Sequence, residues 1–232
     1  MFNYSPRLPD PPIDLQTESL EPVPGARYLA DVLTNSEVHE ILDICKTEAV
    51  SGRFREYTYH TGVIAELRLI HKLWQTYTEE DYCAPQFDRI RELGLSDKVM
   101  NALAKAAHGV SEKFVTEFAI FKMGAGHMNG EHSHGFFTAN ILLQDNLRPF
   151  GSNEGKYFVD YGEPRKSSDD TKLLNAKFRR TFEPQIGALH ARKRWVPHGV
   201  HAINKPQGET EIPLLDQCRY VLTYVVMAPK QI

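Results

Sequence analysis

Three features of this sequence predict an α+β fold, with helices leading and short strands following. Apolar residues recur at helical spacing in the first half. They alternate after Phe114, and Gly, Pro and Asn punctuate the alternating part. Helices followed by many short strands suggest a helical layer and a sandwich or barrel. At 232 residues the chain is long enough for one large domain.

Taken in order, residues 1–25 hold six prolines and little periodicity, which predicts an extended arm outside a single domain over 26–232. Tyr28 and Leu29 predict a short strand. Thr34, Asn35 or Ser36 is placed to cap a helix whose apolar stripe is Val38, Ile41, Leu42 and Cys45. The stretch "LRLIHKLWQTYTEEDY" is compatible with a helix. "SDKVMNALAKAAHGVSEKFV" is the clearest one: Ser96 is the expected cap, and Val99, Leu103, Ala106 and Val110 share a face. The expected strands are "EFAIFKM", "FFTANILLQ", "GKYFVDYG", "FEPQIGALHA", "WVPHGVHAIN" and "CRYVLTYVVMA". Between them "GEPRKSSDDTKLLNAKFRR", about 162–180, is polar and basic and is expected to be a loop or lid.

Composition narrows the function. Apolar residues at 41% and charged residues at 25% are ordinary for a globular protein. A formal charge of −3 argues against broad electrostatic binding of nucleic acid. Cys45, Cys83 and Cys218 are sparse and odd in number, which fits reduced thiols. No run approaches the roughly 18 apolar residues of a membrane span. A cytoplasmic protein is expected, without a membrane or nucleic-acid partner.

The chemistry-bearing stretch is "NGEHSHGFFTANILLQDN", residues 129–146. On a strand, His132 and His134 share a face and can grip one metal ion; in a loop they are two solvated imidazoles. A second cluster, His198 and His201 in "WVPHGVHAIN", can deliver a third imidazole from a distant strand. Three ligands on one side of a metal leave its other positions open to substrate and oxygen. In a turn after Pro197, His198 and His201 are two ordinary polar residues; from a regular strand they cannot both face inward, so at most one of them can be a ligand. Thr138 and Asn140 alternate with Phe137 and Ala139, so one pair faces inward. Arg192, Lys193 and Arg194 form a basic triplet, ordinarily a solvated face but also able to attract an anionic substrate.

The succession of "YLADVLTNSEVHEIL", "FKMGAGHMNGEHSH", "FFTANILLQDN", "NEGKYF", "EPQIGAL", "PHGVHAI" and "RYVLTYVV" resembles the Fe(II)/2-oxoglutarate-dependent oxygenases, especially the prolyl-hydroxylase-like branch. Phe121 and Gly124 stand at the family's Y-x-x-G positions. Glu154 and Gly155 resemble its Gly-rich turn, and Pro184 with Gly187 its P-x-x-G step. The resemblance covers roughly residues 26–228. It implies a double-stranded β-helix, a jelly-roll or cupin-like barrel with the N-terminal helices packed on one sheet. Implied cofactors are Fe(II), 2-oxoglutarate and molecular oxygen. His132, His134 and His198 are the implied metal ligands, with His201 the alternative third. Arg219, Asn140 and Thr223 are the implied 2-oxoglutarate contacts. A small-molecule or amino-acid-like substrate would undergo hydroxylation or a related C–H oxidation.

Two departures qualify that carry-over. His134 replaces the family's Asp, so a ferrous centre would be one charge unit more positive, which dianionic 2-oxoglutarate offsets. If His134 turns away instead, a coordination position opens, as in related halogenases. The stretch from His198 to Arg219 also carries an insertion, "KPQGETEIPLLDQ". Two other readings use the same residues. "EHSH" with "PHGVHAIN" is similar to the cupin motifs of three-histidine thiol dioxygenases, which do not use 2-oxoglutarate. Loss of the carboxylate also suits a non-catalytic binding relative.

Overall fold

The computed structural model describes residues 26–59, 62–68, 87–107, 115–124, 129–132, 137–145, 157–161, 178–182, 185–192, 196, 198–200 and 218–226. The arm at 1–25 and the lid segment 162–177 lie outside these described residues.

The helical layer begins as its sequence dictates. Thr34 caps α1, Asn35–Val50: its hydroxyl accepts from the Glu37 N–H at 3.3 Å, and Glu37 accepts from the Thr34 N–H at 2.7 Å. Val38, Ile41, Leu42 and Cys45 are buried as one stripe. Two shorter helices follow, α2 at Asp88–Gly94 and α3 at Asp97–Ala107; α2 has no counterpart in the sequence expectation. The Ser96 carbonyl starts α3 by accepting from Met100 N–H at 2.9 Å, but the Ser96 hydroxyl makes no capping bond. Val99, Leu103 and Ala106 share the buried face as expected, whereas Val110 lies outside the described residues.

Eleven described strands form two antiparallel sheets. They are β1 Ala26–Leu29, β2 Arg55–Tyr59, β3 Gly62–Arg68, β4 Val115–Met123, β5 Asn129–His132, β6 Phe137–Asp145, β7 Tyr157–Tyr161, β8 Phe178–Phe182, β9 Leu189–Arg192, β10 His198–Val200 and β11 Arg219–Val226. The seven-stranded sheet has the order β1-β9-β6-β11-β4-β3-β2, and the four-stranded sheet β5-β10-β7-β8. From β4 onward the chain passes between the two sheets at every step except β7 to β8.

Several expectations are corrected. Arg55–Tyr59 and Gly62–Arg68 pair antiparallel as β2 and β3, and Leu67–Arg68, the start of the stretch compatible with a helix, close β3. Pairing of β3 with β4 overrides the local pattern there. The segment expected to be a loop to residue 180 ends in β8, whose ladder partners come from β7. The expected strand at 182–191 is broken at Gly187, which has φ +77° and lies where a Cβ would stand 2.4 Å from the Leu33 carbonyl oxygen. Only glycine allows that approach. Gly187 N–H donates to Leu142 O at 2.8 Å, and Leu33 N–H donates to Gly187 O at 2.9 Å, so this turn ties the α1 entry to the sheet.

The helices cover one face of the seven-stranded sheet. Ile41, Cys45, Ile90, Val99 and Leu103 form one apolar core with Phe118, Ile120, Ile141, Leu189, Tyr220, Leu222 and Tyr224. Tyr224 stacks on Phe118 at 5.1 Å and donates from its hydroxyl to the Gly94 carbonyl at 2.8 Å, pinning α2 to β11. Cys45 and Cys218 are buried and not joined in a disulfide. Among the described residues no helix is long and apolar enough to cross a membrane.

Candidate active site

Alternation along the strands sends a second set of side chains to the face away from the helices. Ala139, Ile141, Leu189, Ala191, Leu222 and Tyr224 belong to the helix-covered core. Their neighbours Thr138, Asn140, His190, Arg192 and Thr223 therefore share the opposite face. The register aligns them. Tyr28 opposes His190, His190 opposes Asn140, and Asn140 opposes Thr223, which makes a polar row across four strands. Arg192 opposes Thr138 one step along.

The row is buried at Tyr28, His190 and Thr223 and half-buried at Asn140. The Asn140 side-chain amide donates to the Thr223 hydroxyl at 2.9 Å, orienting both groups. His190 is 2% exposed and Arg192 4% exposed. Burial, then the Arg192 charge, hold the His190 pKa well below the ordinary imidazole value, so His190 is neutral. The basic triplet is thus not a solvated face at Arg192; Lys193 and Arg194 lie outside the described residues.

Arg219 sits toward the other end of the same face. Its side chain is fully buried, and its Nη2 donates to Asp145 Oδ2 at 2.6 Å. The pairing depends on a bulge in β6. Val221 opposes Leu142 and Tyr220 opposes Gln144, leaving Leu143 as the extra residue, so Asp145 rather than Gln144 meets Arg219. Arg219, Val221 and Thr223 alternate without interruption in β11, so Arg219 and Thr223 share the polar face.

In the small sheet, His198 is 3% exposed and its Nδ1 lies 2.8 Å from the Val196 carbonyl oxygen. A carbonyl only accepts, so Nδ1 donates and Nε2 is the nitrogen left with a lone pair. Metal-bound histidines are commonly held this way, by a second partner on the other ring nitrogen. His198 is also the direct ladder partner of His132 in β5. Opposed positions of an antiparallel pair lie roughly 4.5–5.5 Å apart.

The described residues thus bring together positions 132 and 198 on one sheet, and Asn140 and Thr223 on the other with Arg219 on their face. His134, His201, Glu154, Gly155 and Pro184 lie outside the described residues. Among the described residues no group of three metal-ligating side chains gathers. Sequence reasoning missed His190 and Asp145. For His190 the signal exists, since Leu189-His190-Ala191-Arg192 alternates apolar with polar. For Asp145 it does not, because a bulge leaves no mark in the residue pattern.

No family model matches this sequence, and no curated protein matches it. The fold, however, is shared with solved structures of 2-oxoglutarate–Fe(II) oxygenases. A 2OG-Fe(II) oxygenase family oxidoreductase from Burkholderia pseudomallei is similar over 87% of this chain and 84% of its own, at 16% identity and a TM-score of 0.56. A prolyl-4-hydroxylase from Pseudomonas putida is similar over 88% of this chain and 93% of its own, at 14% identity and a TM-score of 0.56. HygX from Streptomyces hygroscopicus, solved with nickel, 2-oxoglutarate and hygromycin B bound, covers 87% of this chain and 83% of its own, at 11% identity and a TM-score of 0.53.

Proposed function

We propose that this protein is a non-heme iron, 2-oxoglutarate-dependent oxygenase built on a double-stranded β-helix, acting on a small molecule or amino-acid-like substrate. His132, His134 and His198 hold the metal, and Arg219, Asn140 and Thr223 hold 2-oxoglutarate. Residues 26–232 form one domain, flanked by the arm at 1–25. The observation that carries this reading is the ladder pairing of His198 with His132, with the buried His198 ring fixed by a main-chain carbonyl.

The donor set fits a ferrous ion: neutral imidazoles suit iron, and the His198 tautomer presents Nε2. Held by these histidines, a ferrous ion would supply oxygen activation coupled to the oxidative decarboxylation of 2-oxoglutarate to succinate and carbon dioxide. The chain's own work is placement and exclusion of water. Val196 holds the His198 ring in one orientation, so no rotation is needed when metal arrives. The Asn140 amide fixes the direction of the Thr223 hydroxyl. Arg219, buried on the same face, offers a planar fork suited to the distal carboxylate of 2-oxoglutarate. Burial of His198, Thr223 and Arg219 beside the half-buried Asn140 limits water, strengthening each polar contact.

The test is succinate formation from 2-oxoglutarate by the Fe(II)-loaded protein, with metal content measured in parallel. Turnover is expected, and His198→Ala should lose both bound iron and turnover. No succinate with or without a panel of small-molecule and amino-acid substrates would sink the reading.

A further inference from the structure

Asp145 does more than neutralise a buried guanidinium. Resting on the reading that Arg219 takes the distal carboxylate of 2-oxoglutarate, we infer that Asp145 is a counter-charge that weakens this hold, for 2-oxoglutarate and for the product succinate alike. Asp145 Oδ2 accepts from Arg219 Nη2 at 2.6 Å, with side chains 5% and 0% exposed. The pair is therefore screened little by water or salt.

The β6 bulge makes the acid's presence specific. Regular pairing continued from Leu142 opposite Val221 would place Gln144 opposite Arg219, and its amide oxygen could also accept from a guanidinium, though without charge assistance. The extra residue, Leu143, brings Asp145 there instead. What the bulge adds is a full negative charge rather than a missing acceptor.

That charge has two consequences. Before ligand arrives it compensates an arginine with no exposure to water, which would otherwise be costly to bury. Once a dicarboxylate arrives, two carboxylates share one guanidinium and repel each other in a poorly solvated site. Succinate keeps the carboxylate that Arg219 holds, so the same repulsion hastens its departure. Asp145 acts through Arg219 and is a positioning residue with a defined electrostatic sign. A purely structural partner would have no such sign.

The experiment measures binding to the Fe(II)-loaded full chain without oxygen, by calorimetry, using 2-oxoglutarate, succinate and 2-oxopentanoate. The last lacks the distal carboxylate. Asp145→Asn keeps an acceptor for Nη2 and removes the charge. It should tighten 2-oxoglutarate and succinate together, on the order of tenfold, and leave 2-oxopentanoate within about twofold. Unchanged or weaker binding of the two dicarboxylates overturns the inference, as does equal tightening of 2-oxopentanoate. If Asp145→Asn does not fold, Asp145→Ser supplies another neutral acceptor; failure of both to fold makes the charge a folding requirement and also overturns it. Wild-type protein that binds iron but no 2-oxoglutarate brings down the proposed function, and this inference with it. Binding without the expected tightening brings down the inference alone.

Discussion

Toward the helices, the seven-stranded sheet presents Phe118, Ile120, Ile141, Leu189, Leu222 and Tyr224; on its other face β6, β9 and β11 present Thr138, Asn140, His190, Arg192, Arg219 and Thr223. Both sets are largely withdrawn from water, yet their chemistry is opposite. The apolar set repeats what any helix-on-sheet layer needs, since burying hydrocarbon is the main favourable term in folding. The polar set works against stability, because each buried amide, imidazole or guanidinium must recover the bonds it made with water. A sheet that buries polar groups on one face only is using that face for something besides packing. The comparison separates folding from function within single strands, residue by residue, and each of the following measurements bears on one side of it.

The largest effect belongs to the apolar face. Ile141 is fully buried among the helices. Ile141→Ala should cost about 2–5 kcal/mol of unfolding free energy in urea titration, from lost transfer energy and the cavity left behind. Its neighbour Asn140 faces the other way, so 2-oxoglutarate affinity of the folded Ile141→Ala protein should match wild type. An unaltered unfolding midpoint would break the division of labour between the faces.

Next in size is a pH effect from the polar face. The folded His190 imidazole is held neutral, first by burial and then by the Arg192 charge. In the unfolded chain it takes up a proton as pH falls through about 6.5, and the folded protein does not. Lower pH therefore favours unfolding. The His190 contribution to stability declines below pH 6.5 with a slope of up to about 1.4 kcal/mol per pH unit, until the folded pKa is reached. Wild type and His190→Gln compared by urea unfolding between pH 7.5 and 5.5 should diverge in slope, with the variant flatter. Parallel slopes would mean that His190 titrates alike in both states.

How much of this was legible depends on whether a signal is local. The α1 stripe is readable because Val38, Ile41, Leu42 and Cys45 lie within two helical turns, whereas the cap is narrowed only to Thr34, Asn35 or Ser36, among which the Glu37 capping box selects Thr34. That Thr138 and Asn140 share one face is readable from alternation, but which face is not. The pairing of β2 with β3 is not readable, since its stabilising partner β4 lies far along the chain. Arg192 looked like part of an exposed basic run because its charge dominates a composition-based reading; its burial follows from sharing a face with His190. The opposition of His132 and His198 is a property of register, set by strands some 66 residues apart in sequence. Motif order suggested both residues, but only the ladder relates them.

The smallest effect tests whether the polar row is a working unit or a set of separate accommodations. The Asn140 amide and the Thr223 hydroxyl are joined at 2.9 Å across β6 and β11, and their positions oppose each other in register. A double-mutant cycle of Asn140→Ala and Thr223→Val should show a coupling of about 0.5–1.5 kcal/mol, the range for one partly buried neutral hydrogen bond. Measured on unfolding, that coupling reports the bond; measured on 2-oxoglutarate binding, it reports whether the bond orients the hydroxyl for the ligand. A coupling on unfolding with none on binding would leave the bond structural and move the co-substrate contact elsewhere on the face. Coupling in both makes the row an oriented wall, in which Asn140 acts on the ligand through Thr223.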